Sequence, residues 1–268
     1  MDPHLVAVVV GILQGVFEWL PVSSEGNVAI ALTALGERPG VAVSYALFLH
    51  LGTAVSATVY YRDEVRTALA SWSAVRVGDA FDGETATLSF VVLATAAASA
   101  VGLVALAALD AVVSELTGGA FVALVGALLV ATGLLQRFAG AYALATRSTP
   151  DAVDAVLVGG LQGLAILPGV SRSGTTTSAL LLRGHEGAAA FRLSFLLSIP
   201  AALIGGGVGV VRTGGVGVTP TAGLVALAVA AVVGYATIDL LMRVVRRMPV
   251  WSLCVGLGGL AILGGLAV

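Results

Sequence analysis

The sequence predicts an all-α integral membrane protein: six transmembrane helices plus two re-entrant helix–loop–helix hairpins, arranged as an inverted-topology repeat. Three observations carry that prediction. The 268-residue chain is 58% apolar and only 10% charged, with a mean hydropathy of +1.04, whereas a water-soluble domain carries about 25% charged side chains. Six stretches are long and apolar enough to cross a bilayer core of ~30 Å. Two further apolar stretches are interrupted near their middles by polar residues and glycines, and they resemble each other.

This composition excludes a soluble enzyme, a nucleic-acid binder and a disordered scaffold. All 13 basic residues are arginine. The single Cys254 excludes an internal disulfide and a cysteine-built metal site.

Taken in order, the first broken stretch runs from Leu5 to Leu35 and carries Gln14, Glu18, Pro21, Ser23, Ser24, Glu25, Gly26 and Asn27 at its interruption. A signal peptide is excluded by the missing basic n-region and by Glu18, Pro21 and Glu25 where the apolar run would finish. Three crossings follow, at Ser44 to Tyr61, Leu88 to Leu109 and Ala120 to Phe138. The second broken stretch, Ala152 to Leu182, carries Gln162, Pro168, Gly169, Ser171, Arg172, Ser173 and Gly174. Three more crossings complete the chain, at Ala188 to Val211, Thr221 to Val244 and Val250 to Val268. Each half of a broken stretch is too short to span alone, and irregular backbone at membrane depth persists only where protein encloses it or a polar cavity borders it.

A shift of 148 positions lays Gln14-Gly15 on Gln162-Gly163, Val22-Ser23 on Val170-Ser171, and Gly26 on Gly174. Each hairpin precedes three crossings. Three is odd, so the second copy (152–268) sits inverted relative to the first (1–138), within one membrane domain. Broken helices in such repeats meet near the midplane and build a polar site there. With both hairpins non-crossing, Arg62, Arg66, Arg76, Arg137, Arg147, Arg183, Arg243, Arg246 and Arg247 share one side, and Arg38 and Arg212 the other. The positive-inside rule makes the first side cytoplasmic and both termini external.

Ionisable residues inside apolar segments are functional-site candidates by default. Here they are Glu18, Glu25, His50, Arg172 and Asp239. Glu18 and Arg172 lie at the two breaks, where opposite charges can offset each other's burial. Gln14 and Glu18, four apart, share a helix face that can ligate a divalent cation or offer Glu18 as a base. Ser23 or Ser24 is then a candidate nucleophile. The second break, from Pro168 to Thr177, has the chemistry of an anion cradle. Gly169 permits close backbone approach, a helix restarts near Ser173, Arg172 supplies a planar fork, and Ser171, Ser173, Thr175 and Thr176 donate hydrogen bonds. His50 reads as a hydrogen-bonded structural histidine, and Asp239 as the partner of Arg243 one turn away.

Gln14-xxx-Glu18 with Pro21-Val22-Ser23-Ser24, together with Pro168-Gly169-x-Ser171-Arg172-Ser173-x-x-Thr176, resembles the undecaprenyl-pyrophosphate phosphatases of the bacitracin-resistance type, whose patterns are (E/Q)xxxE and PGxSRSxxT. The likeness extends through Leu49-His50-Leu51-Gly52-Thr53 and Phe195-Leu196-Leu197-Ser198-Ile199-Pro200. It implies a plasma-membrane phosphatase of the cell envelope that releases inorganic phosphate from a polyprenyl diphosphate and so recycles a lipid carrier. A divalent cation, Mg or Ca, would assist. On matching positions it makes Glu18 with Gln14 catalytic or cation-binding and Ser24 a hydroxyl at the reaction centre. Arg172 with Ser171, Ser173 and Thr176 becomes the diphosphate cradle; Gly169, Ser23 and Asn27 complete the expected substrate contacts. Family members commonly carry histidine where this chain has Asn27, so Glu25 is a substitute base or cation ligand. The expected partners are the lipid substrate and membrane lipids, with a homodimer left open and nucleic acid excluded. A transporter or flippase for a lipid carrier or small anion is the competing expectation, because the same architecture serves transport.

Overall fold

The computed structural model describes residues 2–76, 78–142, 147–213 and 219–267. The side chains of Arg246 and Arg247, and Val268 at the end of the last expected span, lie outside the described residues. The first helix, α1 (Pro3–Phe17), starts at Asp2, whose carboxylate accepts the His4 N–H at 2.8 Å, with Pro3 in the first turn. It stops because Pro21 cannot continue a helical ladder. After the irregular Trp19–Val22 stretch, α2 (Ser24–Ala34) begins with Ser23 Oγ accepting the Gly26 N–H at 3.2 Å.

The later broken segment repeats this grammar. There α7 (Ala152–Gly163) opens on a capping box between Asp151 and Asp154 and ends in a 3₁₀ turn at Leu164–Ile166. Across the Pro168-Gly169 break, α8 (Arg172–Leu182) restarts with Ser171 Oγ accepting the Gly174 N–H, again at 3.2 Å. Gly169 has φ +103°, a backbone conformation that costs a side-chain-bearing residue.

Among the described residues, five helices are long and apolar enough to cross a membrane. They are α3 (Pro39–Tyr60), α5 (Ala86–Val113), α6 (Gly118–Tyr142), α9 (Gly187–Thr213) and α10 (Pro220–Arg247). The sixth expected span is present as α11 (Val250–Leu266), but its 17 residues make it shorter than those five. It lies antiparallel along α6 at backbone contact: a Cβ on Gly126 would sit 2.6 Å from the Gly258 carbonyl oxygen, and the reverse distance is also 2.6 Å. The sequence reading did not anticipate α4 (Arg62–Ala70), a short charged helix with no buried residue. Hydropathy has no means to single out so polar a segment.

The two broken segments are exchanged between neighbours. Helix α1 packs on α10 and α7 on α5 through glycines that leave no room for a side chain. A Cβ on Gly15 would meet the Gly234 nitrogen at 2.8 Å, and one on Gly163 would meet the Ala98 carbonyl oxygen at 2.7 Å. The breaks themselves touch: a Cβ on Gly26 would lie 2.7 Å from the Gly169 nitrogen. Helix α6 runs beneath both. Gln136 Nε2 donates to the Pro21 carbonyl at 2.7 Å, and Thr132 Oγ1 accepts the Ser171 N–H at 3.4 Å. Near the first break, Trp19 Nε1 donates to the Gly234 carbonyl at 2.9 Å and its ring packs against Phe195.

An ion network closes the foot of the second broken segment, outside the five long helices. Fully buried Asp154 accepts from Arg183 Nε at 2.6 Å and lies 2.9 Å from His185 Nε2; Arg147 bridges Asp151 at 2.7 Å and Asp154 at 3.2 Å. Burial alone would raise the Asp154 carboxyl, but hydrogen bonds from His185 and Arg183 outweigh it and hold the group well below its ordinary value. Arg147 and Arg183 thereby tie the start of α7 to the end of α8. The expected Asp239–Arg243 side-chain pair is corrected by the structure. The Asp239 carboxylate accepts from Tyr60, and Arg243 Nε donates to the Asp239 backbone carbonyl at 3.2 Å. Tyr60, at the end of α3, simply lies nearer.

Two outcomes follow from this packing. Gly163→Leu forces α7 off α5, and the thermal midpoint of the detergent-solubilised protein drops sharply, an overpacking cost of about 1–3 kcal/mol or more. Gly256→Ala, with nothing within 4 Å of the added carbon, leaves the midpoint in place. Because folded Asp154 keeps its charge to lower pH than the unfolded chain does, the network's contribution is present above about pH 4 and declines as pH falls below it. A melting series from about pH 6 to pH 3 shows that decline in the parent protein, and Asp154→Asn flattens it.

Candidate active site

Glu18 is the hub where the two breaks meet. It caps the end of α1, and its carboxylate is only 5% exposed. Arg172 NH2 reaches Oε1 at 2.5 Å across the junction. Ser24 Oγ donates to Oε2 at 2.8 Å, and Gln14 Nε2 donates to the same oxygen at 2.9 Å. His50 Nε2 stands 3.5 Å from Oε2. With its Nδ1 at 3.0 Å from the Ala46 carbonyl, the His50 ring can donate to that carbonyl and to Glu18 together only when both nitrogens carry protons. Sequence reasoning set His50 aside because nothing near it in the chain suggests a partner; α3 brings it to the hub from 32 residues beyond Glu18.

The remaining candidates fall into two groups. Glu18, Ser23, Ser24, Glu25, Ser171, Arg172 and Ser173 border one small cleft, with His50 at its side. Glu25 is buried there and its Oε1 has no hydrogen-bond partner among the described residues; the same holds for Arg172 NH1. The others face backbone or neighbouring helices. Thr176 Oγ1 donates to the Arg172 carbonyl at 2.9 Å and pairs with Ser194 at 2.7 Å. Gly169 turns its N–H to Ser23 Oγ at 3.1 Å, joining the two breaks directly. Asn27 Nδ2 donates to the Val22 and Ser23 carbonyls at 2.8 and 2.9 Å, holding the turn that carries Ser24. Thr53, part of the Leu49-His50-Leu51-Gly52-Thr53 likeness but assigned no role by it, lies within 3.5 Å of Gln14 Nε2; Ser194, which pairs with Thr176, escaped the sequence reading.

The small cleft opens into a larger one between α5, α7 and α9. Glu25, His50, Ala165 and Arg172 border both. Beyond them the larger cleft is walled by apolar side chains such as Leu103, Leu106, Ile166 and Ile204. A polar pocket carrying a carboxylate-bound hydroxyl and an arginine fork, open to an apolar slot, suits a phosphorylated lipid.

Comparison with known proteins agrees with that chemistry. Residues 7–260 match the family described as bacitracin resistance protein BacA. The chain belongs to this family. A protein of Haloarcula marismortui named undecaprenyl-diphosphatase is 60% identical over 100% of this chain and 99% of its own length. Relatives of the same name from Methanococcoides burtonii and Methanopyrus kandleri are 38% and 36% identical, each covering 96% or more of both chains. Membership of this family, with the five long apolar helices, makes the chain a multi-pass membrane protein.

Proposed function

We propose that this BacA-family chain is a membrane phosphatase that hydrolyses undecaprenyl diphosphate, or a polyprenyl diphosphate like it, to the monophosphate and inorganic phosphate. The observation that carries the reading is Glu18 receiving both the Ser24 hydroxyl and the Arg172 guanidinium at the meeting of two broken helices. A transport reading is not favoured, because the relatives are named as diphosphatases.

The proposed chemistry starts with Arg172, whose NH1 has no partner among the described residues, forking onto the terminal phosphoryl oxygens. Ser24 Oγ attacks that phosphorus while Glu18 accepts its proton. The P–O bond to the bridging oxygen breaks, and the prenyl monophosphate leaves with its electron pair. The proton on Glu18 passes to the departing monophosphate. Water then attacks the seryl phosphate and gives a proton to Glu18, which returns it to Ser24 Oγ as the Ser24 O–P bond breaks and inorganic phosphate departs. The α8 N-terminus and Arg172 stabilise the charge that builds on the transferred group.

A divalent cation fits this donor set in one respect: beside the phosphate position Glu25 offers a buried carboxylate oxygen with no partner among the described residues. Glu18, saturated by Gln14, Ser24 and Arg172, is better placed as base than as ligand, and Gln14 serves it by orienting the carboxylate. When bound, Mg²⁺ or Ca²⁺ would neutralise phosphate charge, held by Glu25 and by phosphate oxygens, as suits a cation using few protein ligands.

We also read the halves as an inverted-topology repeat of re-entrant hairpins with three crossings each, α11 being the sixth. Support comes from helix bounds. Adding 148 to Ser24 and Ala34 gives Arg172 and Leu182, the limits of α8; adding it to Pro39 gives Gly187, the start of α9. The arginine asymmetry supports a cytoplasmic face at Arg62, Arg147 and Arg183 and external termini.

The decisive assay is phosphate release from a polyprenyl diphosphate in detergent. Ser24→Ala, Glu18→Gln and Arg172→Ala each lower kcat by at least about 10²-fold, the range for a lost general base or charge stabiliser. Binding of substrate without phosphate release by the parent protein would overturn the reading. Chelation abolishes release, and Glu25→Gln raises the cation concentration needed to restore half of it.

A further inference from the structure

Gln162 is the repeat mate of Gln14, 148 positions on. In the first half the Gln14 amide is engaged by Glu18 and Thr53. The same shift turns Glu18 into Ile166 and Thr53 into Ala201, both apolar. Gln162 thus sits where its mate sits but without its mate's partners. Its residue is 4% exposed, and neither Nε2 nor Oε1 has a hydrogen-bond partner among the described residues. A buried amide with both ends unmet is costly. Gln162, Ile166 and Ala201 all border the larger cleft, together with Arg172.

We propose that Gln162 is a substrate-binding residue whose amide holds the lipid-side phosphoryl group of the diphosphate, the one the product keeps. This deepens the phosphatase reading and rests on it. The placement follows from which cleft Gln162 borders. It is absent from the small cleft that holds Glu18 and Ser24, where the phosphoryl group under attack must lie. It borders the larger cleft, which shares Arg172 with the small one and is also lined by the apolar Ile166 and Leu106. A prenyl diphosphate with its terminal phosphorus at Ser24 and its chain in the apolar slot must pass its second phosphoryl group through that boundary. There Nε2 donates to a non-bridging oxygen, and Oε1 accepts from a protonated phosphate or its hydration.

The test separates the two phosphoryl positions. Binding of farnesyl monophosphate and of inorganic phosphate is measured on the purified full chain, for the parent, Gln162→Met and Gln162→Glu. Gln162→Met keeps the length of the side chain and removes its polar atoms. It weakens farnesyl monophosphate by about tenfold, the scale of one net hydrogen bond, and raises the KM for the diphosphate in parallel. Gln162→Glu weakens it further by charge repulsion. Inorganic phosphate, which takes the Ser24 position, changes less than twofold in both. Unchanged farnesyl monophosphate affinity in either folded variant overturns the proposal, as does an equal loss for inorganic phosphate. Binding needs no turnover, so failure of the phosphatase reading shows separately, as absent phosphate release from the parent protein.

Discussion

The ion pair between Glu18 and Arg172 is the constraint on which the rest of the molecule depends. Neither residue can be carried alone into an apolar interior; breaking such a pair costs about 3–5 kcal/mol because it strands the surviving charge. Each charge stands on a helix interrupted within an apolar stretch, so the two interruptions have to meet. Much of the architecture serves that meeting. Proline and glycine stop the helices, serine caps restart them, and α6 pins both breaks with one face. The glycine contacts of α1 on α10 and α7 on α5 let the broken segments sink deep enough to touch.

The pair also explains how so polar a cluster can remain poised. Within the resting site each functional group is held by another: Arg172 by Glu18, Ser24 by Glu18, Glu18 by Gln14. In the proposed reaction an incoming diphosphate competes for the arginine and relieves Glu18 Oε1 of its partner as the Ser24 hydroxyl attacks phosphorus. Electrostatic preorganisation of this kind needs little motion at the moment of reaction.

Much of this was legible in the chain. Scarce charge amid apolar residues pointed to Glu18, Glu25 and Arg172, and the paired interruptions located the breaks. The i, i+4 spacing of Gln14 and Glu18 put the two on one helix face, and there they are hydrogen-bonded. Illegible were contacts made by isolated residues from distant helices. His50 and Thr53 come from α3, Thr132 and Gln136 from α6 and Ser194 from α9, and a polar side chain scattered in an apolar helix has no periodicity. The network around Asp154 was half-legible: its capping box is a local pattern, whereas Arg183 and His185 join it only through the fold.

The antiparallel contact of α6 with α11 bears on motion. Gly126 and Gly258 bring two backbones together with no side chains between them, and the same holds where α1 meets α10 and α7 meets α5. Rocking one bundle against another requires a lubricated plane of side chains that can exchange rotamers as they slide. Seams of bare backbone offer no such plane; displacement along them would drive carbonyls into α-carbons. Helices from one end of the chain are locked in this way to helices from the other, so the molecule is built as a fixed frame. A frame of that kind is a poor pump and a good anvil: it holds the reacting groups still and leaves movement to the lipid.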